Sequence, residues 1–176
     1  MGNLWLAGLT PPDRARLEPH LEVRSFGHGQ ILFGEGQEVD AVWFPTTGVV
    51  SLMTRLDDDK AVETAVIGCE GVVGVTCGPL NARAFSQAVA LLPGEAACCP
   101  ADAFAAAMDE SETLRSALAR FTEALMAQVQ QVAACNARHA LDERLARWLL
   151  SLHDRAEEAR FELTQADIAG MLGVRR

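Results

Sequence analysis

The chain has 176 residues, of which 49% are apolar and 22% are charged. This composition supports one folded domain, alone or with a small appendage, and excludes global disorder. The 15 Lys and Arg against 24 Asp and Glu give a net charge of −9, which excludes a protein that binds nucleic acid over its whole surface, because such proteins neutralise phosphates with a basic face.

Residues 10–21 combine a Thr cap, two prolines and helically spaced leucines, which predicts a short helix. From Val23 to about Pro100 the pattern changes to short apolar runs, broken by Gly, Pro and Asp every 8–12 residues. This rhythm predicts a β-sandwich or barrel. The acidic segment 57–60 is interpreted as a hairpin tip. The strand-like runs are Gln30–Phe33, Ala41–Phe44, Val49–Leu56, Ala61–Ile67, Ser86–Leu92 and Ala96–Cys99.

The segment from Ala101 to Ala169 contains no Pro or Gly, which predicts two or more helices. A heptad seam with a polar break at Gln128 runs through the first long helix, and a break in helical register is expected near 136–140. A second amphipathic stripe follows, ending near His153. We interpret the seam as the interface of a homodimer; the alternative is a partner face supplied by the β-region of the same chain. The seam comprises Leu114, Leu118, Phe121, Leu125, Gln128, Val132, Cys135 and His139.

The last segment, 161–176, is the most informative part of the sequence. Thr164 with Asp167 three residues later predicts a capping box at a helix start, and Gly173 predicts a tight turn at its end. This pattern is that of the first helix and turn of a helix-turn-helix. The alternative is an ordinary helix with a glycine cap.

The order of these elements resembles the Crp/Fnr family of bacterial transcription regulators. The resemblance covers essentially the whole chain and is most specific in Ala134-Cys-Asn-Ala-Arg-His139, Arg144-Leu-Ala-Arg-Trp-Leu-Leu150 and Leu163-Thr-Gln…Met171-Leu-Gly-Val-Arg-Arg176. It implies an α+β fold: an antiparallel β-roll or jelly roll like a cyclic nucleotide-binding domain, then a long dimerisation helix and the first part of a helix-turn-helix. The implied domains are 1–110, 111–139 and 140–176.

The resemblance implies a cytoplasmic homodimer that binds DNA and RNA polymerase and does not bind membranes. Thr164 and Gln165 match positions at which the family contacts backbone phosphate, which suits the free N–H groups of a helix start. Arg175 and Arg176 match the start of the recognition helix, which the family carries beyond this point. We expect DNA binding only where that helix is present, because its side chains enter the major groove.

The resemblance also implies an effector pocket in the β-roll. In the family this pocket often binds a cyclic nucleotide through a Gly-Glu-apolar-Gly turn and a later Arg, which hold the ribose and the cyclic phosphate. The matching turn here is Gly71-Val-Val-Gly74, with Val72 at the Glu position. An ungapped alignment puts Ala84 and Phe85 at the Arg and hydroxyl positions, and a strand follows from Ser86.

Both polar anchors are therefore missing from this alignment. Glu70 and Arg83 each lie one residue away, and a slip of one residue in a strand turns a side chain to the opposite face. We expect cyclic AMP to bind weakly or not at all, since a phosphate against Val72 and Phe85 is poorly compensated. An apolar pocket, an empty one, one for another ligand, and a variant anion site at Glu70 and Arg83 are the alternatives.

The mechanism that the resemblance implies is allosteric. A signal near 70–74 and 83–90 shifts the helix around 121–135, and the break near 136–140 re-aims the helix-turn-helix. We expect no cofactor, no metal and no catalysis, because the cysteines and histidines are scattered and no nucleophile or metal motif occurs. A free-standing ligand-binding β-roll that acts through protein contacts is the alternative function; a cupin-like enzyme is the third.

Overall fold

The computed structural model describes residues 2–56, 61–75, 83–156 and 163–173. Within these residues the chain forms two short helices, seven strands and four further helices. The helices are α1 Leu4–Ala7, α2 Pro11–Leu17, a 3₁₀ turn Glu18–His20, α3 Ala101–Glu110, α4 Glu112–Arg138, α5 Leu141–His153 and α6 Gln165–Leu172. The strands are β1 Glu22–Phe26, β2 Ile31–Phe33, β3 Ala41–Pro45, β4 Val49–Arg55, β5 Ala61–Ile67, β6 Gln87–Leu92 and β7 Gly94–Pro100.

The strands form two antiparallel sheets that together make the predicted β-roll. One sheet has the order β1-β7-β3 and the other β2-β6-β4-β5. The β-rich region gives way to the helical region near Pro100, as the composition predicts. The predicted hairpin tip 57–60 lies outside the described residues.

Strand β1 is the element that the apolar pattern did not single out. Its five residues are exposed except for Phe26, so it carries no apolar run. It is nevertheless paired along its full length with β7, from Glu22 opposite Cys98 to Phe26 opposite Gly94. An edge strand needs only one buried face, and backbone pairing leaves no mark in the sequence.

Three apolar clusters hold the fold together. The first fills the interior of the roll, draws on both sheets, and is lined by many small side chains; its members include Ala41, Ala65, Ala84, Ala88, Ala90 and Ala96. The second lies between the three-stranded sheet and helices α1 to α4, where Trp5 stacks on Phe44 with ring centroids 5.6 Å apart.

The third cluster joins the outer face of the four-stranded sheet to the helices after α4. Val49, Val66, Leu91 and Leu92 come from the sheet, and Trp148, Leu152 and Leu172 come from α5 and α6. We call this contact the sheet–helix interface. It places the start of the helix-turn-helix directly on the β-roll.

The helix boundaries follow their capping residues. Ser111 caps α4 by accepting from the backbone of Leu114, and α4 ends at Arg138 within the predicted break. Thr164 and Asp167 form the predicted capping box of α6, and Gly173 ends it in the left-handed conformation at φ 65°. The described ranges contain no helix with the length and apolar character needed to cross a bilayer.

Candidate functional site

The turn from Gly68 to Gly74 lies between the β-roll and helix α4. A Cβ atom on Gly71 would lie 2.6 Å from the ring of Phe121 in α4, so glycine is required there by close approach. The side chain of Asn3 donates to the carbonyl of Gly71 at 2.9 Å. Gly74 has φ +97°, which also favours glycine. The turn is thus held on one side by the N-terminal helix and touches α4 on the other.

The two valines of this turn point in opposite directions. Val72, at the position of the family's ribose-binding Glu, is fully buried in the second cluster with Phe44 and Phe104, outside the roll. Val73 is buried in the first cluster and exchanges backbone hydrogen bonds of 2.8 and 2.9 Å with Trp43. The side chain at position 72 therefore faces the helices and not the roll interior.

Glu70 is engaged with the helical part of the chain. Its carboxylate accepts from the backbone N–H of Gly68 at 3.1 and 3.2 Å and from Nε of Arg155 at 2.7 Å. Arg155 follows α5 and also donates to the carbonyl and the hydroxyl of Ser151. The charge of Glu70 is thus already matched by a cation of the helical region.

Arg83, the second substitute anchor, lies in a different environment. Its guanidinium donates to the carbonyl of Gly36 at 3.0 Å, and its backbone bridges to Glu38. No contact among the described residues joins Arg83 to Glu70. Phe85 is 73% exposed and Ser86 is half-buried. Glu70 and Arg83 thus have different hydrogen-bond partners in the described part of the chain, and an anion site that combines them stays a prediction.

The predicted heptad seam of α4 faces the β-roll of its own chain. Leu125 is 7% exposed in the roll interior, and Gln128 donates to the carbonyl of Val66 at 3.2 Å. Cys135 is buried and accepts from Gln131 at 3.2 Å. Three of the remaining seam residues pack in or against the second cluster: Leu114, Leu118 and Phe121. Val132 is half-buried.

This packing fits the alternative in which the β-region supplies the partner face of the seam. The role of these residues in a dimer stays a prediction, since the chain is described alone. The opposite side of α4 is exposed, and Met126 on it is 53% exposed. His139, the last seam position, is exposed and caps the end of α4.

A buried carboxyl that the sequence analysis did not single out lies at the sheet–helix interface. Glu63 of β5 is 7% exposed. Its two oxygens accept from the hydroxyl of Ser51 and from the indole N–H of Trp148, each at 2.7 Å. Burial raises the pKa of Glu63 to about 7, although both hydrogen bonds and the charges of Arg147 and Arg155 act in the opposite direction.

A β-bulge explains why this residue was missed. Leu52 pairs with Ala65 and Met53 pairs with Glu63, so Thr64 is an extra residue in β5. Regular alternation would put Glu63 on the same face as Ala65, which lines the roll interior. The bulge turns Glu63 toward α5 instead. A Glu inside an apolar strand was the available signal, but it does not reveal the bulge.

The start of α6 is the predicted phosphate-contacting end. Thr164 and Gln165 are both exposed. Asp167 accepts from the backbone N–H of Thr164 at 2.8 Å, and this bond is the main reason why the pKa of Asp167 is lowered. His28, in the turn between β1 and β2, lies 3.7 Å from the same carboxylate. Arg175 and Arg176 lie outside the described residues.

Comparison with protein families gives two matches along the chain. Residues 23–111 match the model of the cyclic nucleotide-binding domain, and residues 143–176 match the model of the Crp-like helix-turn-helix domain. Among curated proteins, no sequence matches this chain significantly.

Solved structures share the fold at low sequence identity. FixK2 from Bradyrhizobium japonicum is 19% identical with a TM-score of 0.75, covering 88% of this chain and 78% of its own. The c-di-GMP responsive global regulator CLP from Xanthomonas campestris is 15% identical with a TM-score of 0.72, covering 94% and 86%. TTHB099, a regulator of the CRP family from Thermus thermophilus, is 18% identical with a TM-score of 0.70, covering 86% and 77%.

Proposed function

The chain belongs to the Crp/Fnr-type transcription regulators, with a cyclic nucleotide-binding domain followed by a Crp-like helix-turn-helix, and on that premise we propose that its β-roll controls the position of that helix-turn-helix through two contacts of one turn. The observation that carries the proposal is the location of the turn from Gly68 to Gly74. It touches α4 through Gly71 and the region after α5 through Glu70.

The first contact acts on the long helix. Because the ring of Phe121 lies directly against Gly71, any displacement of the turn toward α4 pushes on that ring. Phe121 packs against the first and the second cluster, and well-packed side chains transmit such a shift rather than absorb it. Movement of α4 is passed to α5 across the two residues His139 and Ala140, which have extended conformations.

The second contact acts on the helix-turn-helix directly. The ion pair between Glu70 and Arg155 joins the turn from Gly68 to Gly74 to the region after α5 without passing through α4. A displacement of the turn that moves Glu70 away from the region after α5 must break this pair. The freed Arg155 then no longer fixes α5 relative to the sheet, which is a differential contact of the kind that coupling between two sites requires.

We propose that the effector is not a cyclic nucleotide. A cyclic phosphate needs a cation and free N–H groups, and a ribose needs a carboxylate. Val72 faces the helical side, Glu70 is matched by Arg155, and Arg83 is matched by the carbonyl of Gly36. The interior of the roll offers mainly alanine and other apolar side chains, which favours an apolar ligand or none.

A second copy of the chain is proposed to pack on the exposed side of α4. Exposed residues recur there at heptad spacing, and most are small, which permits close approach of two helices: Ala119, Thr122, Met126 and Ala133. The predicted seam Leu118, Phe121, Leu125, Gln128, Val132 and Cys135 then supports the interface from behind, by holding α4 on the roll.

Contact with DNA is proposed for the start of α6 and the residues after it. Thr164 and Gln165 expose a helix start whose N–H groups suit a phosphate, and Arg175 and Arg176 add positive charge in sequence. In the dimer, two such ends bind half-sites about one turn of DNA apart.

The test is selection from random duplex DNA with this chain extended by a recognition helix, and in parallel with residues 1–176 alone. The longer chain is expected to enrich a two-fold symmetric site with half-sites about 10 base pairs apart. Residues 1–176 are expected to enrich none. A pool that stays unenriched with the longer chain overturns the proposal.

A further inference from the structure

The side chain of Glu63 connects the four-stranded sheet to helix α5. It stands on β5, and its Oε1 accepts from the indole N–H of Trp148 in the middle of α5. Its other oxygen accepts from Ser51 on the neighbouring strand. Trp148 is 2% exposed, so this hydrogen bond is closed to water from both sides. A buried carboxyl with one partner on each side of an interface is sensitive to separation of the two surfaces.

The remaining contacts of the sheet–helix interface are apolar or peripheral. Met171 of α6 places its sulfur 3.6 Å from the hydroxyl of Ser51. At the margins, Arg155 pairs with Glu70, and His28 lies beside Asp167. Glu63 is therefore the buried ionisable group among the described residues at the centre of this interface.

The charged groups that face Glu63 come from the helical side. Arg147 of α5 and Arg155 after it both favour the carboxylate form. The Nε of Arg147 is buried without a hydrogen-bond partner in the described part of the chain. On α6, the carboxylate of Asp167 lies beside His28 and accepts from the start of its own helix. These cations do not offset burial, because neither forms a hydrogen bond with Glu63 among the described residues.

We propose that Glu63 is a proton-controlled latch: in its neutral form it holds α5 and α6 against the four-stranded sheet, and on ionisation it weakens that contact and frees the start of the helix-turn-helix. The proposal concerns contacts within the chain. It does not depend on which ligand the roll takes or on whether the chain binds DNA.

The direction of the pH dependence follows from the shift. In the docked arrangement burial raises the pKa of Glu63 to about 7, against an ordinary value of 4.5 when the face of the sheet is open to water. The docked form therefore binds the proton more tightly. Docking is strongest below pH 4.5, weakens as pH rises to about 7, and is constant above that. Between pH 6 and pH 8 the population of the released form is expected to rise about tenfold.

The experiment follows the indole N–H of Trp148 by ¹H–¹⁵N NMR on the chain of residues 1–176. The indole resonance that disappears in Trp148→Phe is assigned to Trp148. In the wild type this resonance is expected to shift between pH 5 and 8.5 with a midpoint near 7. Glu63→Gln keeps the shape and an acceptor oxygen without the charge, and is expected to abolish the titration. The control is Glu95→Gln, an exposed carboxyl of β7, which is expected to leave the titration unchanged.

A second readout measures docking itself. Backbone amides of α5 and α6 are followed by hydrogen exchange at pH 6 and pH 8, after correction for the intrinsic rates. In the wild type their protection is expected to fall about tenfold at pH 8, and in Glu63→Gln to stay constant. His28→Gln removes the contact with Asp167 at the margin of the interface and is expected to keep the wild-type dependence.

A wild-type indole resonance that does not move over this pH range overturns the latch, and so does Glu63→Gln with an unchanged titration. A midpoint near 4.5 also overturns it, since it describes a carboxyl in water. Where Glu63→Gln does not fold, the ¹³C shift of the Glu63 carboxyl in the wild type decides between the same outcomes.

Discussion

Arg155 donates its Nε–H to Glu70 across 2.7 Å, and this bond joins the turn from Gly68 to Gly74 to the region that follows α5. The pair is partly open to water, with the side chain of Glu70 40% exposed and that of Arg155 19% exposed. An ion pair this exposed contributes little to the stability of the fold. Its importance is that it joins the turn of the β-roll to the region after α5.

A double-mutant cycle with Glu70→Gln and Arg155→Gln is expected to give a coupling energy of about 0.2–1 kcal/mol in urea unfolding. Arg155→Gln alone should cost more than Glu70→Gln, because Arg155 also holds the backbone carbonyl and the hydroxyl of Ser151. Equal losses in the two single variants, with additive effects in the double variant, would refute this pairing.

Gly71→Ala is expected to destabilise the fold by about 1–3 kcal/mol, since the new Cβ overlaps the ring of Phe121 at 2.6 Å. Adding Phe121→Leu should restore part of the loss by removing the ring. Gly170→Ala is the matched control: Gly170 lies within α6 with open space around it, so alanine there should stabilise by about 0.5–1 kcal/mol. Thermal unfolding of the wild type and the three variants measures these differences.

Met126→Lys is expected to convert the proposed dimer to monomers while changing the free energy of unfolding by about 0.5 kcal/mol or less, because Met126 is 53% exposed. Leu125→Lys buries a charge in the roll and should unfold the chain before it separates the copies. Sedimentation velocity over a concentration series distinguishes them. A folded monomer from Leu125→Lys, with Met126→Lys still dimeric, would instead establish the heptad seam as the interface.

Calorimetric titration with cyclic AMP and cyclic GMP is expected to give no heat and no thermal stabilisation. Introducing the family's acid by Val72→Glu should not create binding, because this side chain is buried with Phe44 and Phe104 on the helical side. The same substitution should cost several kcal/mol of stability, as a charge placed in an apolar cluster does. Micromolar binding by the wild type would contradict this and indicate that Glu70 and Arg83 come together around the ligand.

The thiols of Cys98 and Cys99 are expected to stay unmodified by DTNB at pH 8 in the folded chain. Burial raises the pKa of each to about 11, so the reactive thiolate is scarce until the pH approaches that value. Cys69 is half-buried and should react first. The measurement uses a Cys77→Ser background, and labelling of Cys98 or Cys99 at the rate of Cys69 would contradict the expectation.

The elements that the sequence predicted well are those with local signals. The capping box at Thr164 and Asp167 and the glycine end at Gly173 depend on residues within ten positions of each other, and all three adopt the predicted geometry. The break in helical register before α5 was likewise predicted from neighbouring residues, and α4 ends within it, at Arg138. Such features need no knowledge of the rest of the chain, because a cap is satisfied by its own helix.

The features that the sequence could not give are those set by tertiary packing. A heptad seam records that one face of α4 is buried, but not whether the cover is a second copy or the chain's own sheets, and Leu125 lies in the roll. The same holds for Val72: its apolar character was plain, but the side of the turn to which it points was not. In both cases hydrophobicity predicts burial and leaves the partner undetermined.

The bulge at Thr64 has a consequence for how such regulators diverge. Because Thr64 is the extra residue that leaves Glu63 on the outer face of the roll, one further residue in β4 opposite Thr64 would restore regular alternation and turn the acid into the roll interior. A relative with that one insertion would keep the same sheet and the same helix-turn-helix but would have no acid from this position at the sheet–helix interface. The length of one strand, counted in single residues, thereby determines whether this acid lies at the sheet–helix interface.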